Sequence, residues 1–168
     1  MAGESANIGT WEYHPATRKL IWSAECKRIH GLPDNVDPEN SWVADHMIPE
    51  DFEFVRKEVA KALDPENKDP FRLEYRIIRN NDRQIRWIKV HGKMYFDEKG
   101  LPGRFIGTML DITREKLREQ QLKESVELFQ TMADNVPAMI WMSGEDRFND
   151  YFNKTWLEFT GRTSQQES

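Results

Sequence analysis

Apolar and charged residues alternate most regularly from Phe71 to Ile78, where Leu73, Tyr75 and Ile77 interleave with Arg72, Glu74 and Arg76. A period of two marks a strand with one buried face. Two further β-rich runs follow, Gln84 to Phe96 and Arg104 to Thr113, separated by the turn-forming clusters Asn80-Asn81-Asp82 and Asp97-Glu98-Lys99-Gly100. The spacing predicts three antiparallel strands in a meander. Alternation puts Leu73, Tyr75 and Trp87 on the buried side, with Arg76 and Arg86 on the solvated side. Truncating Trp87, as a buried aromatic, is then expected to cost roughly 3–5 kcal/mol.

The last strand passes straight into a charged helix. From Thr113 to Asn135 there is no Gly or Pro and there are many strong helix formers. Thr113 is the predicted N-cap, and Pro137 marks the far end. Leu122, Val126, Phe129, Ala133 and Val136 are spaced four, three, four and three, a coiled-coil seam suited to a parallel homodimer. Ile112 and Leu117 fall outside that register. An amphipathic helix packing on its own domain therefore stays open as the alternative.

The start of the chain recurs near its end at a constant offset of 130. Trp11 pairs with Trp141, Trp22 with Phe152, Ile29 with Phe159, and Gly31 with Gly161. Periodicity of this kind points to tandem domains. Two strands and one helix cannot by themselves bury Trp141, Tyr151, Phe152, Trp156 and Phe159. Residues 137–168 are thus expected to be poorly ordered or packed on a neighbouring chain, and the polypeptide to be a fragment of a longer multidomain protein.

Arg86-Trp87-Ile88, Gly92, Asp97-Glu98-Lys99-Gly100, Phe105-Ile106-Gly107 and Asp111-Ile112-Thr113 resemble the C-terminal, PAC half of a PAS domain, the sensory module of bacterial signalling proteins. Gly9 to Tyr13 and Leu20 to Ser23 look like its first two strands, and Glu25 to Leu32 like its first short helix, ending at Gly31. Pro49-Glu50-Asp51 followed by Phe52 to Leu63 looks like its long helix, with proline in the first turn and acids near the positive helix end. The resemblance implies an α+β fold: a five-stranded antiparallel sheet with flanking helices, then a long signalling helix and the start of a second PAS domain. The implied spans are 1–113 (PAC segment about 71–113), 114–136 and 137–168.

Composition narrows the partners. The 168 residues carry a net charge of -5, so a basic nucleic-acid face is not expected. With no membrane-length apolar run and no secretory leader, the segment is placed in the cytoplasm with no membrane contact. Cys26 is the only cysteine, which rules out an intramolecular disulfide or a Cys-based zinc cage. No nucleotide-binding, hydrolase or kinase motif appears, and the four histidines, His14, His30, His46 and His91, are scattered, so no catalytic or metal site is predicted.

Some members of the resembled family hold flavin or haem. Flavin photoreceptors need a reactive Cys in a Gly-Arg-Asn-Cys-Arg-Phe-Leu-Gln type motif, whereas Cys26 lies in Ala24-Glu25-Cys26-Lys27-Arg28. Their last strand carries a Gln where this chain has Met109, which lacks an amide to bond the ring. Haem members supply an axial His from the long helix, and here only His46 lies nearby, just upstream of it. No cofactor is predicted. An unidentified small molecule remains open, in a cavity that alternation and the family's usual pocket line with Trp22, Ile29, Trp42, Val55, Leu73, Tyr75, Trp87, Val90, Phe105, Gly107 and Met109. The competing possibility is that these side chains simply fill the core.

The resemblance implies a noncatalytic sensory module, expected in the N-terminal part of a sensor histidine kinase of a two-component system. A change induced by ligand or partner would pass through Asp111, Ile112 and Thr113 into the helix and on to an output domain of the same polypeptide. A ligand-free dimerisation scaffold, or the sensor of a diguanylate cyclase or transcription regulator, are the alternatives.

Overall fold

The computed structural model describes residues 8–67, 69–143, 149–161 and 163. The chain divides into two compact units, 1–116 and 117–168. The outermost residues of the spans read from the sequence, 1–7 and 164–168, lie outside the described residues.

In the first unit, β1 (Ile8–His14) and β2 (Lys19–Trp22) form a hairpin, followed by α1 (Ala24–His30), α2 (Asn40–Asp45) and α3 (Pro49–Ala62). The predicted meander is then built as β3 (Phe71–Ile78), β4 (Ile85–Phe96) and β5 (Pro102–Asp111). All pairings are antiparallel, and the strand order is β2-β1-β5-β4-β3. The N-terminal hairpin thus inserts beside the last strand. Chain punctuation accounts for the helix ends: Ser23 Oγ accepts the Cys26 N–H at the start of α1, and Gly31 closes it in the left-handed region at φ 72°.

Register assigns the two faces. Val90 sits opposite Leu73 and Met109, Ile88 opposite Tyr75, and Gly107 opposite both Gly92 and Trp11. Directly opposed residues share a face, so Leu73, Tyr75, Ile77, Ile88, Val90, Phe105 and Met109 form one buried layer with Trp22. Helices α1 and α3 cover it with Cys26, Ile29 and Val55.

One sequence expectation fails here. Trp87 faces Arg76, not Tyr75, and lies half-buried on the outer side of the sheet, while Ile88 is fully buried. Arg86 consequently moves to the inner side, opposite Ile77 at the sheet margin, near Asp82 and Asp111. Trp87-Ile88 is an apolar doublet, and a one-residue slip in alternation exchanges the two faces. Arg76 is on the outer side as expected, but it is paired: the Asp51 carboxylate accepts the Arg76 amide at 2.8 Å and its guanidinium at 3.0 and 2.6 Å.

The C-terminal end of the β3 edge is covered by the segment entering α3. Ile48 N–H donates to Arg76 O at 3.0 Å, Ile78 N–H to His46 O at 2.7 Å, and Met47 bridges to Ile77. These bonds cover the C-terminal end of that edge, from Arg76 to Ile78.

The helix α4 (Thr113–Asn135) matches its predicted span and continues into the second unit, where β6 (Trp141–Ser143), β7 (Asn149–Phe152) and α5 (Lys154–Thr160) follow. The offset of 130 extends to hydrogen bonds. Thr10 N–H donates to Ser23 Oγ, and Ile140 N–H to Asn153 Oδ1, both at 2.9 Å. Cys26 N–H and Trp156 N–H bond to the same two cap atoms at 3.3 and 3.1 Å, and Gly161 repeats the left-handed cap at φ 68°. Of the aromatics in this unit, Phe152 is buried, whereas Trp141 and Phe159 are 53% and 77% exposed.

Candidate functional site

Ten of the eleven residues read as pocket-lining belong to the helix-covered side of the first sheet, and Trp87 does not. Trp22, Ile29, Val55, Leu73, Tyr75, Val90, Phe105 and Met109 are buried, Trp42 packs against them from α2, and Gly107 lies in β5 beneath Trp11. The Trp11 indole was not anticipated as part of this site. It crosses Gly92 and Gly107, meets Phe105 edge-on at a centroid distance of 4.9 Å, and donates Nε1–H to Thr108 O at 3.2 Å. A Cβ on Gly107 would come within 2.5 Å of this ring, closer than real side chains approach. Glycine there lets the indole lie against the strand.

A second group at the inner face joins rings from β2, α1 and α2. His30 stacks on Trp22 at 4.1 Å and meets Trp42 edge-on at 5.2 Å, and His46 stacks on Trp42 at 3.8 Å. His30 is fully buried, and its Nδ1–H donates to Cys26 O at 3.0 Å while Nε2 has no partner. Burial lowers its pKa to about 4, with Arg79 and His46 adding to the effect, so the ring is neutral at pH 7 and Nε2 is an acceptor. The arrangement supplies an apolar aromatic wall with one buried acceptor. Sequence spacing gives little sign of it beyond the i, i+4 placement of each histidine on its helix.

Cys26 decides the thiol chemistry. It is fully buried, its Sγ donates to Thr10 O at 3.3 Å, and burial pushes its pKa up to about 11. A thiol held protonated is a poor nucleophile. In this state Cys26 is not poised to attack a bound group. Among the described residues no three His, Cys, Asp or Glu side chains form a group able to hold a metal ion.

The junction with α4 is built on β4. Ile112 N–H donates to Trp87 O, Trp87 N–H to Thr113 Oγ1, and Thr113 N–H to Asp111 Oδ1, each at 2.9 Å. Thr113 was expected to cap the helix, but its hydroxyl is used across the sheet, and the acceptor at the helix start comes from Asp111. In the first turn of α4, Lys116 Nζ lies 2.8 Å from Glu74, which also pairs with Lys89 at 3.0 Å. The two ammonium groups hold the Glu74 carboxyl below its usual range.

On the outer face, an open groove of about 660 Å³ runs between Glu12, Ile21, Lys93, Tyr95, Arg104 and Ile106. The proposed seam is split. Leu122, Val126 and Phe129 are exposed, but Ala133 is buried within the second unit, where its carbonyl accepts Asn153 Nδ2–H at 2.8 Å. Phe129 meets Tyr151 in the same unit at 5.4 Å. No helix among the described residues is long and apolar enough to cross a membrane.

Comparison with known proteins agrees with this geometry. An uncharacterised protein of Sinorhizobium fredii is 34% identical over 120 residues, covering 71% of this chain and 14% of its own length. A blue-light-activated histidine kinase of Brucella ovis is 31% identical over 116 residues, 69% of this chain and 22% of the kinase. The chain thus spans less than a quarter of the length of either relative. The crystal structure of a sensory box histidine kinase/response regulator from Burkholderia thailandensis superposes with a TM-score of 0.64 at 27% identity, covering 75% of this chain and 92% of that one. The family model described as the PAS fold matches residues 19–109, and the chain belongs to the PAS family.

Proposed function

We propose that residues 8–113 are the sensory module of a bacterial signal-transduction protein, a sensor histidine kinase in the leading form. A change in the helix-covered interior, induced by a ligand or partner, would pass through Asp111, Ile112 and Thr113 into α4. The observation that carries this is the hydrogen bonding of Trp87 to Ile112 and Thr113, which ties the start of α4 to a central strand. Histidine kinases among the similar proteins support the assignment of the parent. The module itself is noncatalytic, and it acts by shifting between two sheet–helix arrangements to which a ligand binds unequally.

Residues 137–168 are, on this proposal, the opening of a second domain of the same kind, supported by the matching caps at Ser23 and Asn153. A second function, dimerisation without a ligand, is favoured by one observation: Leu122 and Val126 lie 67% and 46% exposed on α4. Native mass spectrometry and an absorbance spectrum of the purified chain separate the two. A stoichiometric small molecule supports sensing, whereas a ligand-free dimer supports the scaffold. One relative is a blue-light-activated histidine kinase, and a visible absorption band in this chain would overturn the expectation that it holds no cofactor.

A further inference from the structure

The outer face of the sheet carries a chain of charged and aromatic contacts that the junction residues do not include. It starts at the N-terminus of α3, where Asp51 holds the Arg76 guanidinium at 2.6 Å. The Arg76 guanidinium carbon lies 5.4 Å from the centre of the Trp87 ring, and so does the ammonium of Lys116, in the first turn of α4. Lys116 is held in turn by Glu74, two residues before Arg76 on β3. One indole therefore contacts a cation tied to the helix that covers the interior and another on the helix that leaves the domain. Both cations gain from the electron-rich ring face.

We propose that Asp51, Arg76, Trp87 and Lys116 form a transmission route from α3 to the first turn of α4 across the outer sheet face, with Trp87 as its positioning residue. The proposal rests on the sensory assignment, since α3 supplies Val55 to the interior where a ligand would act. Movement of α3 shifts Asp51 and so the guanidinium over the indole, which changes the site against which Lys116 packs. This gives Trp87 a reason to lie outside the core: there it contacts both helices' partners, which Ile88 on the other face cannot do. Charge alone would be a weak link at a half-exposed surface. The bidentate carboxylate–guanidinium pair gives this link a defined geometry.

Hydrogen exchange followed by NMR on the purified chain tests the route without any ligand or output domain. The probe is the Lys116 amide, which donates to Ile112 O at 3.0 Å, measured relative to amides in the middle of β4. Asp51→Asn makes no direct change to α4, yet it is expected to raise the relative exchange of Lys116 by a factor of roughly two or more. In a Trp87→Leu background the same substitution should add nothing further. Leu20→Ala, which weakens core packing from β2 and not from α3, controls for global loss of stability and should leave the ratio at its wild-type value. An unchanged ratio in Asp51→Asn, a further rise in the Trp87→Leu background, or an equal change in Leu20→Ala would overturn the route. None of these outcomes touches the sensory assignment, which falls instead if no ligand or partner alters output.

Discussion

The Trp87 amide donates to Thr113 Oγ1 at 2.9 Å, so a strand in the middle of the meander holds the first residue of the helix that leaves the sheet. The Thr113 amide bonds back to Asp111, and the Ile112 amide to Trp87 O. The connection has no free linker residue. The last strand and the helix share one hydrogen-bonded corner.

Removing that corner should separate folding from coupling. Asp111→Ala and Thr113→Ala each delete one side-chain bond at the helix start, a loss of about 1 kcal/mol. The core from Trp22 to Met109 contains neither residue. Urea unfolding should therefore show a small shift in midpoint with an unchanged slope, while signalling by the parent protein is lost. Normal signalling in both variants would remove the junction from the pathway.

The two faces of β4 predict opposite severities for neighbouring residues. Ile88→Ala empties a fully buried position and should cost about 2–5 kcal/mol. Trp87→Ala, on the half-buried outer side, should cost less than about 3 kcal/mol despite removing the larger side chain. Chemical denaturation of the two variants decides this, and the reverse order would contradict the assigned register.

Acid stability should fall in two stages with different owners. His30 has a folded-state pKa lowered from 6.5 to about 4, so below pH 6.5 the unfolded chain takes up a proton that the buried ring refuses. Its contribution is complete above 6.5 and is lost as the pH falls through about 4. His30→Phe should flatten that part of the stability profile. The Asp51 carboxyl is held below its ordinary 3.8 by the Arg76 guanidinium, with burial opposing. Its contribution is present above 3.8 and is lost only as the pH falls below that value, so Asp51→Asn should approach wild-type stability at the acid end. Unfolding midpoints measured from pH 7 to 3 separate the two stages.

Gly107 and Trp11 varied together test whether the indole occupies the inner face. A methyl group there would press on the Trp11 indole and on the His91 carbonyl of the neighbouring strand. Gly107→Ala should destabilise the domain by roughly 1–3 kcal/mol through overpacking, and Trp11→Phe should recover part of that loss. The His91 carbonyl, closer still, accounts for the loss that remains; no recovery at all in Trp11→Phe would mean that the indole lies elsewhere.

Much of this architecture was legible because it is local. Pro49 opening α3, Gly31 closing α1, the uninterrupted run from Thr113 to Asn135 and the alternation of Leu73, Tyr75 and Ile77 each state their element within a few residues. Trp87-Ile88 defeats alternation because both residues are apolar, and only the register against β3 chooses between them. The stack of His30 on Trp22 and of His46 on Trp42 draws on three elements separated by loops, which no periodicity announces. Thr113 was rightly placed at the helix start, but its partner lies 26 residues earlier in another strand. Ala133 keeps the seam's spacing, yet its environment is set by Asn153, the counterpart of Ser23 in the repeat.

Backbone relaxation measured by NMR along Met109 to Leu117 tests the central claim most directly. If the sheet and α4 share one rigid corner, order parameters stay near the rigid-backbone value of about 0.85 from β5 through Lys116 without a dip. Values falling below about 0.6 at Asp111 to Thr113 would mark a hinge and contradict the account.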